Sequence, residues 1–180
     1  MNKAIFLDRD GTINVDTGYV CKKEDFEFID GAIEGLRLLQ DKGYMLIIIT
    51  NQSGIGRGYF SEQEYLEFQS WINEQLANKG IMITETYYCP HVEEDGCDCR
   101  KPRVAMFEEA AKQYNIKWGD SCAIGDKMRD LTICTKKRMK GFLISKERKC
   151  NDLPQEIEVV VSLYEAATQI IKDEIGEVRK

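Results

Sequence analysis

The chain contains little proline, a single histidine and no excess of positive charge. Only three prolines occur in 180 residues, so few helices or strands are interrupted. The 31 acidic and 25 basic residues give a formal charge of −6, which disfavours a nucleic-acid backbone or an anionic membrane as the main partner. The sequence has no apolar run long enough to span a bilayer and no charged leader with an apolar core. We therefore expect a soluble, cytoplasmic protein.

The cysteines do not form an even, regularly spaced set. Three of the seven lie within residues 89–99, whereas Cys21, Cys122, Cys134 and Cys150 are scattered. An odd number and a local cluster favour reduced thiols and a metal site over a disulfide framework. The chain length is that of one domain with a sizeable core, and we expect a single domain over residues 1–180.

Strand-like apolar runs alternate with longer segments of helical period. Strands are predicted at residues 4–7, 45–50, 83–88, 121–124, 141–144 and 157–161, and helices at 31–42, 61–79 and from Ser162 onward. Ser61 and Ser162 each stand three residues before a glutamate, which is the spacing of a capping box. The basic residues 136–140 are predicted to end a helix, with a phosphate-attracting patch as the alternative. Residues 146–154 are predicted to form a polar connector. The alternation indicates an α/β fold: a doubly wound, Rossmann-like parallel sheet with helices on both faces.

Two carboxylates follow the first predicted strand directly. Asp8 and Asp10 are two residues apart, so their side chains point to the same side of an extended chain. Mg²⁺ takes oxygen ligands and is commonly shared between carboxylates and a substrate phosphate. One aspartate could then attack phosphorus while the other handles the proton. The alternative is a solvated, Asp-rich turn without catalytic function.

Three later strands also end in polar residues suited to phosphate chemistry. The second strand is followed by hydroxyl and amide donors at residues 50–53, and Arg100 and Lys101 supply positive charge after the third. The fourth strand ends at Asp126, with Asp130 four residues later. Because parallel strands present their carboxyl ends at one edge, these groups are predicted to converge on one crevice.

A candidate zinc loop occupies residues 89–99. It contains Cys89, His91, Cys97 and Cys99, and three thiolates with one imidazole make a closed tetrahedral set for structural Zn²⁺. Neighbouring thiols such as Cys97 and Cys99 make a poor disulfide. Bound zinc would supply the folding energy of this polar loop. The alternative is a flexible reduced loop whose cysteines are incidental.

The four strand-end motifs resemble those of the haloacid dehalogenase superfamily of phosphatases, namely Asp-x-Asp-Gly-Thr, Thr or Ser, Lys, and Gly-Asp-x-x-x-Asp. The resemblance implies that Asp8 is the nucleophile and Asp10 the general acid and base. It implies that Thr50 and Lys101 hold the transferring phosphoryl group. The implied Mg²⁺ ligands are Asp8, Asp126 and the backbone carbonyl of Asp10, with Asp130 as a possible outer support.

Residues 7–19 and 50–58, together with the zinc loop, are similar to the heptose 1,7-bisphosphate phosphatases and their relatives, the histidinol-phosphate phosphatases. The similarity implies a minimal cap and loss of the 7-phosphate of a small phosphorylated sugar through an aspartyl phosphate. Implied substrate-binding residues, besides the catalytic ones, are Asp16, Thr17, Gly18, Tyr19, Asn51, Gln52, Ser53, Arg100 and Lys127.

One segment departs from the heptose pattern. After Lys101 and Pro102 the chain continues with residues 103–106, Arg-Val-Ala-Met, which is closer to the histidinol-phosphate type. Histidinol phosphate, or another small phosphorylated metabolite, is therefore the alternative substrate. From a different class, the zinc loop could belong to a binding module in which the Asp pair is vestigial. We expect a monomer with no nucleic-acid or membrane partner.

Overall fold

The computed structural model describes residues 1–147 and 152–177, with side chains up to residue 174. The described strands form one parallel, six-stranded sheet in the order β3-β2-β1-β4-β5-β6. The strands are β1 Ala4–Leu7, β2 Met45–Asn51, β3 Ile83–Cys89, β4 Cys122–Gly125, β5 Lys140–Ile144 and β6 Ile157–Val160. The α-helices are α1 Ala32–Asp41, α2 Glu62–Asn78, α3 Ala105–Gln113, α4 Thr132–Lys137 and α5 Leu163–Glu177.

Helices cover both faces of the sheet, as predicted. All four residues of β1 are buried: Ile5 and Leu7 point into one hydrophobic core, and Phe6 points into the other. Helices α1, α2 and α5 supply side chains to the first core, whereas α3 and α4 supply them to the second. The doubly wound α/β architecture is confirmed, and each apolar face of a strand is buried under a different helical layer.

Most predicted elements agree with the structure to within one or two residues. The capping box of α2 is present: the Ser61 backbone N donates to Glu64 Oε2 at 2.6 Å, and the Glu64 backbone N donates to Ser61 Oγ at 3.2 Å. At α5, the Glu165 backbone N donates to Ser162 Oγ at 3.1 Å. Helix α3 was not predicted, although its buried Met106 and Ala110 have helical spacing.

The basic run 136–140 is only in part a helix terminus, which corrects the prediction. Lys136 and Lys137 lie in the last turn of α4, and Arg138 ends the helix with a left-handed backbone, φ 53°. Met139 is buried, so the chain turns inward and Lys140 is already the first residue of β5. The predicted polar connector 146–154 lies partly outside the described residues.

The side on which successive strands are added to the sheet changes at β1, and this change in strand order positions the site. From β1 the chain proceeds to β2 and β3 on one side, then returns to β4 on the other. A crevice opens outside the carboxyl ends of two strands where the order reverses in this way. Asp8 follows β1, and Asp126 follows β4. Among the described helices, none combines the length and apolarity needed to cross a membrane.

Candidate active site

A cleft of about 270 Å³ lies at the carboxyl edge of the sheet. Its lining residues are Asp8, Asp10, Asp16, Gly18, Tyr19, Thr50, Asn51, Gln52, Ser53, Arg57, Arg100, Lys101, Asp126, Lys127 and Arg129. The structure thus brings the sequence-predicted catalytic residues together with most of the predicted substrate-binding residues. Thr17 lies on the exposed loop beside the cleft, and Asp130 is buried against Lys101.

Lys101 is buried between two carboxylates. Its Nζ donates to Asp8 Oδ1 at 2.7 Å and to the Ile49 carbonyl at 2.5 Å, and it forms an ion pair with Asp130 Oδ1 at 2.8 Å. Burial acts to lower the pKa of Lys101, but Asp8 and Asp130 outweigh it, and the pKa is raised. The ammonium group therefore stays charged next to the predicted nucleophile.

The pKa of the Asp8 carboxyl group depends on nearby positive charge. Burial raises the pKa of its carboxyl to about 7, the positive charge of Lys101 acts in the opposite direction, and Asp130 and Asp10 add to the rise. A carboxyl in such a site depends on nearby positive charge to remain ionised at neutral pH. A metal ion at this position would favour the ionised, nucleophilic form.

Three carboxylates at this edge fit a hard divalent cation. Oxygen atoms of Asp8, Asp126 and Asp130 all lie within 4.8 Å of one another. Asp126 Oδ1 is buried and has no hydrogen-bond partner in the described part of the chain, so it is available as a ligand. Gly11 has φ +86°, and a Cβ at this position would lie 2.4 Å from Asp126 Oδ2. The missing side chain at residue 11 leaves the space that the Asp126 carboxylate occupies.

Asp130 is the most engaged of these three carboxylates. Besides its ion pair with Lys101, its Oδ2 accepts the Lys127 backbone N–H at 3.0 Å. A Cβ on Gly125 would lie 2.5 Å from the Asp130 Cβ, so the turn after β4 is closely packed. Asp130 therefore contacts both Lys101 and the backbone after β4, whereas Asp126 Oδ1 has no hydrogen-bond partner in the described residues.

The amide side chains of Asn51 and Gln52 bind predicted catalytic residues. Asn51 donates to the Lys101 carbonyl at 3.0 Å and accepts from the Lys101 backbone N–H at 3.0 Å. Gln52 Nε2 donates to Asp10 Oδ2 at 2.8 Å and to Thr50 Oγ1 at 2.9 Å. Sequence reasoning assigned both amides to substrate. Both line the cleft, and both also bind other residues of the site.

The predicted zinc ligands form a compact cluster of free thiols and one imidazole. Ligand atoms of Cys89, His91, Cys97 and Cys99 all lie within 4.8 Å of one another. The Sγ atom of Cys99 lies 3.2 Å from Cys89 Sγ, 3.4 Å from Cys97 Sγ and 3.3 Å from His91 Nδ1. Ligand separations of this size suit a tetrahedral ion with Zn–S bonds of about 2.3 Å. The donor set fits a structural zinc site.

This cluster is tied to the catalytic cleft. Cys89 is the last residue of β3, and its carbonyl accepts the Gln52 backbone N–H at 2.7 Å. Arg100, which follows Cys99, donates from Nη1 to the His91 carbonyl at 3.2 Å. The loop therefore fixes the segment from which Lys101 reaches Asp8.

Sequence reasoning missed several residues of the site. Arg57 and Arg129 line the cleft with exposed side chains, and the sequence signal for Arg57 was its position in the glycine-rich turn after β2. Arg9 and Asn14 bind Asp10 from the interior. Arg9 stands between the two aspartates in the sequence, but nothing in the local pattern indicates that it is buried.

Comparison with known proteins identifies the family. Residues 3–130, more than half of the chain, match the family described as Polynucleotide kinase 3 phosphatase. The D-glycero-beta-D-manno-heptose-1,7-bisphosphate 7-phosphatase of Pasteurella multocida is 45% identical over 155 residues, covering 83% of this chain and 84% of the relative. The enzyme of the same name from Haemophilus influenzae is 50% identical over 137 residues, covering 73% of this chain and 74% of the relative.

A solved structure agrees with these sequence matches. The crystal structure of D,D-heptose 1,7-bisphosphate phosphatase from B. bronchiseptica, complexed with magnesium and phosphate, superposes with a TM-score of 0.85 at 29% identity. The alignment covers 95% of this chain and 99% of that chain. The chain therefore belongs to the heptose-1,7-bisphosphate 7-phosphatase family of the haloacid dehalogenase superfamily.

Proposed function

We propose that this chain is a Mg²⁺-dependent phosphatase that removes the 7-phosphate of D-glycero-D-manno-heptose 1,7-bisphosphate. The observation that carries the proposal is the contact of Lys101 Nζ with Asp8 Oδ1 at 2.7 Å, at the edge of a cleft that also contains Thr50 and Asp126. A nucleophile, a fixed cation and hydroxyl donors around one point are what phosphoryl transfer requires. The printed names of the relatives supply the substrate.

In the first half-reaction, a carboxylate oxygen of Asp8 attacks phosphorus and forms an aspartyl phosphate. The bond between phosphorus and the sugar oxygen breaks, and that oxygen takes a proton from Asp10. Lys101 neutralises charge on the phosphoryl oxygens. Thr50 Oγ1 already accepts a hydrogen bond from Gln52, which leaves its hydroxyl proton to donate to the phosphoryl group.

In the second half-reaction, water attacks phosphorus and gives a proton to Asp10. The bond between phosphorus and the Asp8 oxygen breaks, inorganic phosphate leaves, and the Asp8 carboxylate is restored. Asp10 therefore acts as acid in the first step and as base in the second, which returns the enzyme to its starting protonation state.

The proposed enzyme would bind two metal ions, one catalytic and one structural. Asp8, Asp126 and the backbone carbonyl of Asp10 would hold Mg²⁺, with Asp130 as support, and the bound ion would stabilise negative charge on the phosphoryl group. Cys89, His91, Cys97 and Cys99 would hold a structural Zn²⁺. Reduced thiols are typical of the cytoplasm, where we propose that the enzyme acts.

The remaining predicted residues would bind the sugar. These are Asp16, Thr17, Gly18 and Tyr19 on the loop after β1, Asn51, Gln52 and Ser53 at the end of β2, and Arg100 and Lys127. We propose that residues 1–180 work as one domain and as a monomer, with the zinc loop at 89–99 and the β1 loop shaping the entrance in place of a cap.

The substrate proposal is tested by comparing turnover of three compounds with purified protein and Mg²⁺. Both anomers of heptose 1,7-bisphosphate should be assayed beside histidinol phosphate, with phosphate release as the readout. We expect one heptose anomer to give the highest kcat/KM. Faster turnover of histidinol phosphate would assign the chain to that substrate, and no phosphate release from any of the three would reject the phosphatase proposal.

A further inference from the structure

Arg9 is among the largest side chains that are fully buried in the described residues. It follows the nucleophile Asp8 in sequence, yet its guanidinium group binds Asp10. Its Nη2 lies 3.0 Å from both carboxylate oxygens of Asp10, and its Nε lies 3.2 Å from Oδ1. Contacts from two nitrogens of one planar group restrict both the position and the rotation of a carboxylate.

The guanidinium group of Arg9 is also fixed by residues other than Asp10. Its Nη2 donates to the Val20 carbonyl at 2.9 Å, and its Nη1 donates to Gln69 Oε1 on α2 at 3.3 Å. The rings of Tyr65 and Phe68 lie 5.7 and 5.5 Å from the guanidinium carbon, within cation–π distance. Arg9 is thereby fixed by α2 and by the loop after β1, independently of any substrate.

Two amides complete the enclosure of Asp10. Asn14 Nδ2 donates to Oδ1 at 3.0 Å, and Gln52 Nε2 donates to Oδ2 at 2.8 Å. Each carboxylate oxygen therefore has one amide donor in addition to Arg9. Even so, 19% of the Asp10 side chain remains exposed, toward the cleft. The carboxylate is held on its inner side and open on the side where a substrate would lie.

Fold stability alone does not account for a buried arginine at this position. Desolvation of a charged pair commonly offsets its Coulombic gain, and apolar residues of similar volume are often as stable. In the proposed mechanism Asp10 must contact the leaving-group oxygen. Fixing its carboxylate therefore has a direct catalytic use, because a misplaced proton donor loses much of its effect.

From this geometry we propose that Arg9, supported by Gln69, is a positioning residue that holds Asp10 in the orientation for proton donation to the leaving group. The inference rests on the proposed function, in which Asp10 is the general acid. Arg9 lines no part of the cleft and does not contact the phosphoryl site. Its loss should therefore affect leaving-group protonation without weakening phosphate binding.

The test compares two substrates that differ in their need for a proton. The sugar alkoxide of heptose 1,7-bisphosphate needs protonation as it leaves, whereas the nitrophenolate of 4-nitrophenyl phosphate does not. In Arg9→Lys, we expect kcat/KM to fall about 100-fold for the heptose substrate and less than about 5-fold for the aryl phosphate, given that general acids contribute roughly 10²- to 10⁴-fold. The parameter kcat/KM is chosen because it reports steps up to departure of the leaving group. The inhibition constant of inorganic phosphate should not change.

Gln69→Leu provides a second variant in case Arg9→Lys does not fold. Gln69 touches Arg9 but is not among the residues bonded to Asp10, so its loss should give the same selectivity at about 10-fold. Arg37→Lys is the matched control, because Arg37 is exposed and donates to the Lys79 carbonyl at 2.8 Å, far along the chain from the cleft. It should leave both substrates unaffected.

The Asp10→Asn variant distinguishes the general-acid role of Asp10 from the positioning role of Arg9. If Asp10→Asn loses activity selectively on the heptose substrate and the Arg9 and Gln69 variants do not, the positioning role is wrong and the proposed mechanism stands. If Asp10→Asn shows no selectivity, Asp10 is not the general acid, and the positioning role is rejected with it. Equal losses on both substrates in Arg9→Lys and Gln69→Leu would also reject it.

Discussion

Asn51 and Lys101 are joined by two hydrogen bonds that resemble those between neighbouring strands. The Asn51 side-chain amide donates to the Lys101 carbonyl and accepts from the Lys101 N–H, both at 3.0 Å. Asn51 ends β2, whereas Lys101 follows the zinc loop. A residue of the sheet therefore fixes the backbone from which the Lys101 ammonium group reaches Asp8.

Replacing Asn51 by alanine should lower kcat about 10-fold, because the loss of two partly buried hydrogen bonds that position Lys101 costs about 1.4 kcal/mol. The measurement is steady-state turnover of the heptose substrate, with zinc content determined in parallel. Asn78→Ala, at the exposed end of α2, is the control and should retain activity. Unchanged kcat in Asn51→Ala would show that Lys101 is positioned by other contacts.

Lys101→Met should eliminate turnover and destabilise the metal-free protein. Asp8 and Asp130 would remain buried without their cation, and removal of one partner from a buried ion pair costs about 3–5 kcal/mol. Thermal unfolding with and without Mg²⁺ checks the physical cause. Added Mg²⁺ should raise Tm more in the variant than in the wild type.

Lys117→Met serves as the matched control for that experiment. Lys117 pairs with Asp120 at 2.9 Å, but both side chains are about half exposed, and surface pairs contribute little. Its Tm should stay close to that of the wild type. A Lys101→Met protein as stable as this control would contradict the view that Lys101 neutralises two buried carboxylates.

The convergence of the strand ends could be predicted from the sequence. The hydrogen bonds that hold the side chains of the site could not. Asp8, Thr50 and Asp126 follow apolar runs, and the edge rule for parallel strands then predicts that they meet. The cluster of three cysteines and one histidine was predictable from spacing, because metal geometry constrains local sequence. The Asp10 contacts of Arg9 could not be read in this way, because they depend on packing between α2 and the loop after β1.

The amides after β2 illustrate the same limit. Asn51 and Gln52 were predicted to bind substrate, since they follow a strand at the catalytic edge. Which donors remain free for a ligand is decided by distant residues such as Lys101 and Asp10, with which these amides pair in the fold. Position in the sequence indicated proximity to the site but not the partner of each side chain.

Gly11→Ala should weaken activation by Mg²⁺. The new Cβ would lie 2.4 Å from Asp126 Oδ2, so the carboxylate would have to move from its place in the cluster. We expect the Mg²⁺ concentration for half-maximal activity to rise about 10-fold, which corresponds to about 1.4 kcal/mol. A magnesium titration of turnover measures this directly.

Gly43→Ala distinguishes displacement of Asp126 from backbone strain. Gly43 also has a positive φ, +81°, but no atom lies within 4 Å of a Cβ built there. Both variants should lose about 1 kcal/mol of stability from the left-handed backbone. Only Gly11→Ala should alter the magnesium dependence, and an equal change in both would assign the effect to strain.

Removal of zinc should reduce activity, because the zinc loop fixes the segment that carries Lys101. We expect close to one equivalent of zinc in the purified protein, and loss of both metal and turnover in Cys97→Ser, because the ion supplies the folding energy of the loop. Cys21→Ser is the control, since Cys21 lies outside the cluster. Full activity in zinc-free protein would show that the loop holds its shape without the ion.

The proposed mechanism requires Asp8 to form the covalent intermediate. The most direct measurement is reduction with borohydride during turnover of heptose 1,7-bisphosphate with Mg²⁺, followed by peptide mass spectrometry. An aspartyl phosphate is reduced to homoserine, whereas a free carboxylate is not. We expect homoserine at residue 8 in the presence of substrate and none in its absence. An unmodified Asp8 in enzyme that is actively releasing phosphate, or full activity in Asp8→Asn, would contradict it.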